Sequence, residues 1–179
     1  MTRHVALVGF MAAGKSTVGR KLARRLERPF VDTDRVVIAA HGPIESIFAD
    51  EGESAFRRYE SEAIARALES DEPSVIAVGG GALTVEENRV RLARRAWRVF
   101  IKVSPEQAFA RISRGRTVRP VLGEAPTLAT IGELYAVRLP EYERADFIVD
   151  ASSRSDAGVI EAIARWLRQS PAAGKLAVS

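Results

Sequence analysis

Gly9-Phe10-Met11-Ala12-Ala13-Gly14-Lys15-Ser16 fits the pattern G-x-x-x-x-G-K-[ST]. An apolar run from His4 to Val8 precedes it and has the β-branched content of a buried strand. After it, Val18, Leu22, Ala23 and Leu26 recur at helical spacing, with Arg20, Lys21, Arg24 and Arg25 between them. The motif therefore lies between a predicted strand and a helix N-terminus, where a phosphate-binding loop must lie. Gly9 and Gly14 let the backbone wrap around phosphate oxygens without a Cβ clash. The N–H groups from Ala12 and Ala13 through Lys15, Ser16 and Thr17 form an anion nest, aided by the helix dipole. Lys15 adds a mobile charge for the outer phosphates, and the Ser16 hydroxyl can ligate Mg²⁺. Ala12 stands where many such loops carry another glycine, so the loop must accept a Cβ there.

The chain of 179 residues has the length of one domain, expected over 1–169 with a frayed tail over 170–179. It contains no cysteine, which excludes a disulfide framework, a thiol nucleophile and a cysteine–zinc site. His4 and His41 are too few and too scattered to suggest a metal cluster. No apolar run is long enough to span a bilayer, and no signal peptide precedes the first strand, so the cytoplasm is the expected location. The net charge of +4 comes with many arginines. They are dispersed and not interleaved with aromatics, so nucleic acid is not expected as a partner. Most face solvent on this reading, a few line a site for anionic ligands, and the chain is expected to act as a monomer.

Strand and helix patterns then alternate. Pro29 to Asp32 reads as a short strand, Arg35 to Ala40 as a helix broken by His41-Gly42-Pro43, and Ile44 to Phe48 as a further short helix. Glu53 to Leu68 reads as a longer helix, and Ser74 to Val78 as a parallel strand buried on both faces. Glu86 to Arg95 is helical, Trp97 to Val103 a strand, and Pro105 suits the first position of the next helix. The pattern fails over Ser113 to Pro126, and a structureless stretch of that length in a compact domain is usually functional or disordered. Thr127 to Arg138 is helical, Asp146 to Asp150 is the last strand and Ala157 to Leu167 the last helix. The alternation predicts an α/β fold with a parallel sheet covered on both faces.

Asp32 and Asp34 fall where the second strand ends, and ligands gather at the carboxyl ends of strands in such sheets. One carboxylate there can hold Mg²⁺, and the other can accept a hydroxyl hydrogen bond or proton. The bland alternative is a strand-end turn with Asp34 as a helix N-cap. Gly79-Gly80-Gly81 directly follows a strand, which suggests close approach of the backbone to another group rather than a loose connection. Arg57 and Glu60 sit at i, i+3 on one helix, a pair common on surfaces. Arg114-Gly115-Arg116-Thr117-Val118-Arg119-Pro120 places arginines on a segment able to close over phosphates, or else on a disordered basic loop.

Taken in order, G-x-x-x-x-G-K-S-T, Asp32-Thr33-Asp34, Phe56-Arg57-x-x-Glu60, Gly79-Gly80-Gly81, Arg119-Pro120-x-Leu122 and Arg138-x-x-x-Tyr142 resemble shikimate kinase. The likeness runs from His4 to about Leu167. It implies a three-layer α/β/α P-loop kinase fold with a central five-stranded parallel sheet. It also implies ATP-dependent phosphorylation of the shikimate 3-hydroxyl, in aromatic amino-acid biosynthesis. Carried over residue by residue, Asp34, Arg57, Gly79, Gly80, Gly81 and Arg138 bind shikimate, the two arginines pairing with its carboxylate. Lys15 and Arg119 stabilise the transferring phosphoryl group, with Asp34 at the reacting hydroxyl. Ser16 ligates Mg²⁺ with Asp32 in the outer shell, Arg111 stacks on adenine, and residues 113–126 form a lid. The chain departs from the family at Ala12, around Gly42-Pro43, where it is one residue short, and over Ser152 to Asp156, which lacks the proline often found in the adenine loop. The rivals are another small-metabolite kinase, such as one for gluconate, and a non-catalytic shikimate-sensing protein. The first should lack the Phe-Arg-x-x-Glu and triple-glycine motifs. The second should carry a DNA-binding segment, for which there is no room before His4.

Overall fold

A computed structural model of the chain describes residues 3–115, 119–123 and 125–170. Five strands form one sheet in the order β2-β3-β1-β4-β5, with every neighbouring pair parallel. They are β1 (His4–Val8), β2 (Phe30–Asp32), β3 (Val75–Ala77), β4 (Ala96–Lys102) and β5 (Phe147–Asp150). The central strand β1 pairs Val5 with Val75 on one side and with Trp97 on the other. All residues of β1 and β3 are buried, as continuous apolar runs in a doubly covered parallel sheet must be.

The helices are α1 (Lys15–Leu26), α2 (Thr33–His41), α3 (Ile44–Asp50), α4 (Gly52–Glu69), α5 (Glu86–Arg95), α6 (Pro105–Arg114), α7 (Leu128–Glu143) and α8 (Asp156–Gln169). They cover both faces, α1 packing with α8 and α4 with α5. The main core surrounds the sheet. A second, smaller apolar cluster of Val37, Ile47, Ala55, Phe56 and Ala63 ties α2, α3 and α4 together. Because β1 is flanked by β3 and β4, the loop that leaves β1 and the glycines that leave β3 emerge side by side at the carboxyl edge.

Several elements differ from the sequence expectation in ways that have a physical cause. The cap of α2 is Asp32, whose carboxylate accepts from the Arg35 N–H at 3.4 Å, so Asp34 is not the cap and its carboxylate is left for other work. Ser113 and Arg114 belong to α6, and Pro120–Leu122 form a 3₁₀ turn, so the stretch expected to lack structure is partly ordered. Arg116, Thr117, Val118 and Glu124 of the expected lid lie outside the described residues, as does the expected tail from 171 to 179. Helix α7 continues past Arg138, through Pro140, to Glu143. Proline costs that helix one N–H donor. Burial of Tyr142, 1% exposed, favours the turn beyond it.

Candidate active site

The loop after β1 has the backbone its glycines permit. Gly9 lies at φ +141, where a Cβ would stand 2.7 Å from the Ile101 carbonyl oxygen, and Gly14 lies at φ +91. Ala12 adopts φ 60, a left-handed conformation that costs an L-residue about 1–2 kcal/mol. From α6, Arg111 donates to the Ala12 carbonyl at 3.0 Å. Gly14 caps α1 without a side chain, and no acid occupies the first turn, so the positive end of the helix faces the loop uncompensated.

This loop borders a cavity of about 260 Å³ lined by Ala12, Gly14, Lys15, Ser16, Thr17 and Asp32 together with Met11, Asp34, Gly80 and Arg119. The Lys15 ammonium donates to the carbonyls of Gly9 and Phe10, at 2.8 and 2.9 Å. Burial lowers its pKa to about 8, against the pull of Asp34. Ala13 is buried beneath the loop, and its N–H closes a turn onto the Phe10 carbonyl at 3.2 Å. Among the described residues no three acidic or histidine groups cluster as a metal cage. A hydroxyl at Ser16 with one nearby carboxylate at Asp32 is a donor set of the kind Mg²⁺ uses beside phosphate oxygens.

A second cavity, about 120 Å³, opens beside the first. Met11, Asp34, Gly80 and Arg119 line both. The second is completed by Arg57 and Glu60 from α4, Arg138 from α7, the apolar side chains of Ile44, Phe48 and Phe56, and the three glycines. The glycines are required by approach. A Cβ at Gly79 would collide with the Glu60 carboxylate and stand 2.8 Å from Asp34 Oδ1, and one at Gly81 would collide with the Arg57 guanidinium. Thr33, wholly buried, holds this edge: its hydroxyl accepts from the Gly79 N–H at 3.2 Å and donates to the Ala77 carbonyl at 3.4 Å.

Arg57 donates to Glu60 at 2.8 Å and to Glu53 at 2.9 and 3.2 Å. What reads in sequence as a surface pair is therefore a site pair, since Glu60 is 1% exposed. Desolvation works against the Arg57 charge, but Glu60 and Glu53 outweigh it and raise the pKa. Burial raises the pKa of Glu60 in spite of Arg57, and it raises that of Asp34 in spite of Lys15. Burial also lowers the pKa of Arg119, with Asp34 opposing. Arg138 is buried, with its guanidinium carbon 5.9 Å from the centre of the Phe10 ring. Among the described residues, Glu60 Oε1, Arg119 Nε and Arg138 Nε are buried and have no hydrogen-bond partner. Three such orphans around one cavity indicate that it is built for a polar occupant.

Lys15, Ser16, Thr17, Asp32, Asp34 and Arg119 are thus gathered at one cavity, and Arg57, Gly79, Gly80, Gly81 and Arg138 at the other. Gly9 and Ala13 belong to the phosphate loop and Arg111 donates to it, but these three line neither cavity. Sequence reasoning gave no site role to Glu60, Thr33, Tyr142 or the apolar wall of Ile44 and Phe48. Glu60, Thr33 and Tyr142 stand inside quoted motifs. The wall carries no signal separable from ordinary core packing.

The family model for shikimate kinase matches residues 11–168. A shikimate kinase of Dechloromonas aromatica is 43% identical over 165 residues, which cover 91% of this chain and 89% of that protein. The solved structure of shikimate kinase from Acinetobacter baumannii in complex with shikimate has 30% identity and a TM-score of 0.88, covering 99% of this chain and 97% of that one. A gluconokinase from Sinorhizobium meliloti shares 20% identity, 93% coverage of both chains and a TM-score of 0.64, a likeness of fold alone. With a family model matched over most of its length and a relative of this identity along nearly all of both chains, this chain belongs to the shikimate kinase family.

Proposed function

We propose that this chain transfers the γ-phosphoryl group of ATP to the 3-hydroxyl of shikimate, giving ADP and shikimate 3-phosphate, with the residue roles that follow. The observation that carries the reading is the meeting of two unlike cavities at Asp34, Gly80 and Arg119. One is walled by a phosphate loop and a helix N-terminus. The other is walled by three arginines, two carboxylates and apolar side chains.

On the nucleotide side, the loop N–H groups and Lys15 hold the outer phosphates. Lys15 turns from the Gly9 and Phe10 carbonyls towards phosphate oxygen, a stronger acceptor for an ammonium ion. Ser16 and Asp32 would hold Mg²⁺, which when bound neutralises phosphate charge. On the acceptor side, Arg57 and Arg138 receive the shikimate carboxylate, and Glu53 and Glu60 fix the Arg57 fork. Ile44, Phe48 and Phe56 pack against the ring. Asp34 lies at the junction of the cavities, where it orients the 3-hydroxyl and takes its proton as the new P–O bond forms and the bond to ADP breaks. Its raised pKa suits a proton acceptor. Arg119 also lines both cavities and stabilises charge on the phosphoryl group in transit. Among the described residues no helix is long and apolar enough to cross a membrane.

The test is steady-state ADP release with ATP, Mg²⁺ and either shikimate or gluconate. The reading expects turnover with shikimate alone. Equal turnover with gluconate, or none with either, would overturn it.

A further inference from the structure

Tyr142 has no part in the roles above, yet it is 1% exposed at the back of the acceptor cavity. Its ring lies 5.1 Å from that of Phe100, and its hydroxyl donates to the Gly80 carbonyl oxygen. Burial, partly offset by Arg138, pushes the hydroxyl well above the usual phenol range, so it stays a donor wherever the enzyme works. Tyr142 stands one helical turn beyond Arg138, on the same face of α7.

The bond to Gly80 fixes more than one carbonyl. In a trans peptide the N–H points opposite the C=O. Holding the Gly80 carbonyl towards Tyr142 therefore turns the Gly81 N–H the other way. Gly81 is buried and lines the acceptor cavity against the Arg57 guanidinium. Among the described residues its N–H has no acceptor. A buried backbone donor without a protein partner is rare. Around the turn the neighbouring carbonyls are tied: Asn88 donates to the Ala82 carbonyl at 3.0 Å and the Thr84 hydroxyl to the Gly81 carbonyl at 2.7 Å. The Gly80–Gly81 peptide is held by Tyr142.

We infer that Tyr142 is a positioning residue: by holding the Gly80 carbonyl it aims the Gly81 N–H, beside Arg57 and Arg138, at the carboxylate of the acceptor. It touches neither substrate, and the inference rests on the acceptor site proposed above. Tyr142→Phe keeps the ring and frees the peptide. Loss of one aimed hydrogen bond to a charged group corresponds to roughly a tenfold rise in KM for shikimate. KM for ATP should be unchanged.

The decisive readout is selectivity. Wild-type enzyme and Tyr142→Phe are compared on shikimate and on its neutral methyl ester. The ratio of kcat/KM for acid over ester should narrow about tenfold in the variant, whereas a purely structural role would lower both substrates together and leave the ratio alone. An unchanged ratio, with or without a general loss of activity, overturns the inference. Wild-type enzyme inactive on shikimate would instead overturn the acceptor reading on which it rests. Should the variant fail to fold, the wild-type Gly81 amide resonance decides: saturating shikimate should shift it and slow its hydrogen exchange, and an amide indifferent to shikimate refutes the proposal.

Discussion

Lys15 offers the sharpest test of how the phosphate loop works. Burial lowers its pKa from 10.5 to about 8. At 1.36 kcal/mol per pH unit, that fall corresponds to about 3 kcal/mol against the charged form. The sign runs towards the neutral amine, so in the free enzyme the ammonium is lost as pH rises through about 8. Bound triphosphate supplies negative charge at the same place and restores the higher value. The rate profile for kcat/KM of ATP, which reports the free enzyme, should therefore fall on its alkaline side with a midpoint near pH 8. The profile of kcat, which reports the loaded enzyme, should stay level to distinctly higher pH. Removing the charge altogether takes away a preorganised contact to the phosphoryl group, at a cost on the order of 3 kcal/mol in the barrier. Lys15→Ala should thus lower turnover at least about a hundredfold at neutral pH. Initial rates over the pH range on either side of about 8, at limiting and at saturating ATP, separate the two profiles. A kcat/KM profile flat through that range, or coincident limbs for the two parameters, would refute the reasoning. So would near-normal turnover in a folded Lys15→Ala.

Three further outcomes follow from the geometry. Arg57→Lys keeps a charge but cannot serve Glu53, Glu60 and a carboxylate together, so titrations should show shikimate affinity falling tenfold or more, about 1.4 kcal/mol, with ATP affinity nearly unchanged. Ala12 pays for its φ of 60 in strain, so in urea titrations Ala12→Gly should cost nothing, while Ala12→Val, β-branched in a left-handed position, should lose about 1–2 kcal/mol. His4 is buried, its Nδ1 accepting from the Ser74 N–H at 3.2 Å and its Nε2 facing the Ser70 carbonyl at 3.1 Å, and desolvation lowers its pKa below 6.5. Its contribution to stability is complete above the unfolded-state value and is lost as pH falls below it, so urea midpoints of wild type should drop between pH 7 and 5 by more than those of His4→Gln.

The sheet was legible because its strands are short apolar runs bounded by glycine, proline and aspartate, and the phosphate loop because its residue types and its strand–helix context coincide. The glycine triplet was legible as a place of close approach, since three glycines after a strand have few other uses. What it approaches was not, because Glu60 and Arg57 arrive from a helix distant in sequence. Burial turned Arg57–Glu60 from an ordinary helical pair into part of the site, and burial depends on neighbours that local spacing does not reveal. Helix α7 runs beyond the expected end at Arg138 for a related reason: the packing of Tyr142 against Phe100 holds the turn that follows Pro140. Spacing alone does not tell Asp32 from Asp34, and in the sequence only the family resemblance separates their roles. The cap on Arg35 assigns one to the helix end and leaves the other between the cavities.

The central claim is that the two cavities meeting at Asp34 join a triphosphate to one particular hydroxyl. Phosphorus–proton NMR of the product formed from ATP and shikimate tests this directly. The account predicts a single phosphorylated product, with phosphorus coupled to the proton on the carbon bearing the 3-hydroxyl, formed in step with ADP. Phosphorus on another hydroxyl, a mixture of positions, or ADP formed without any phosphorylated shikimate would contradict it.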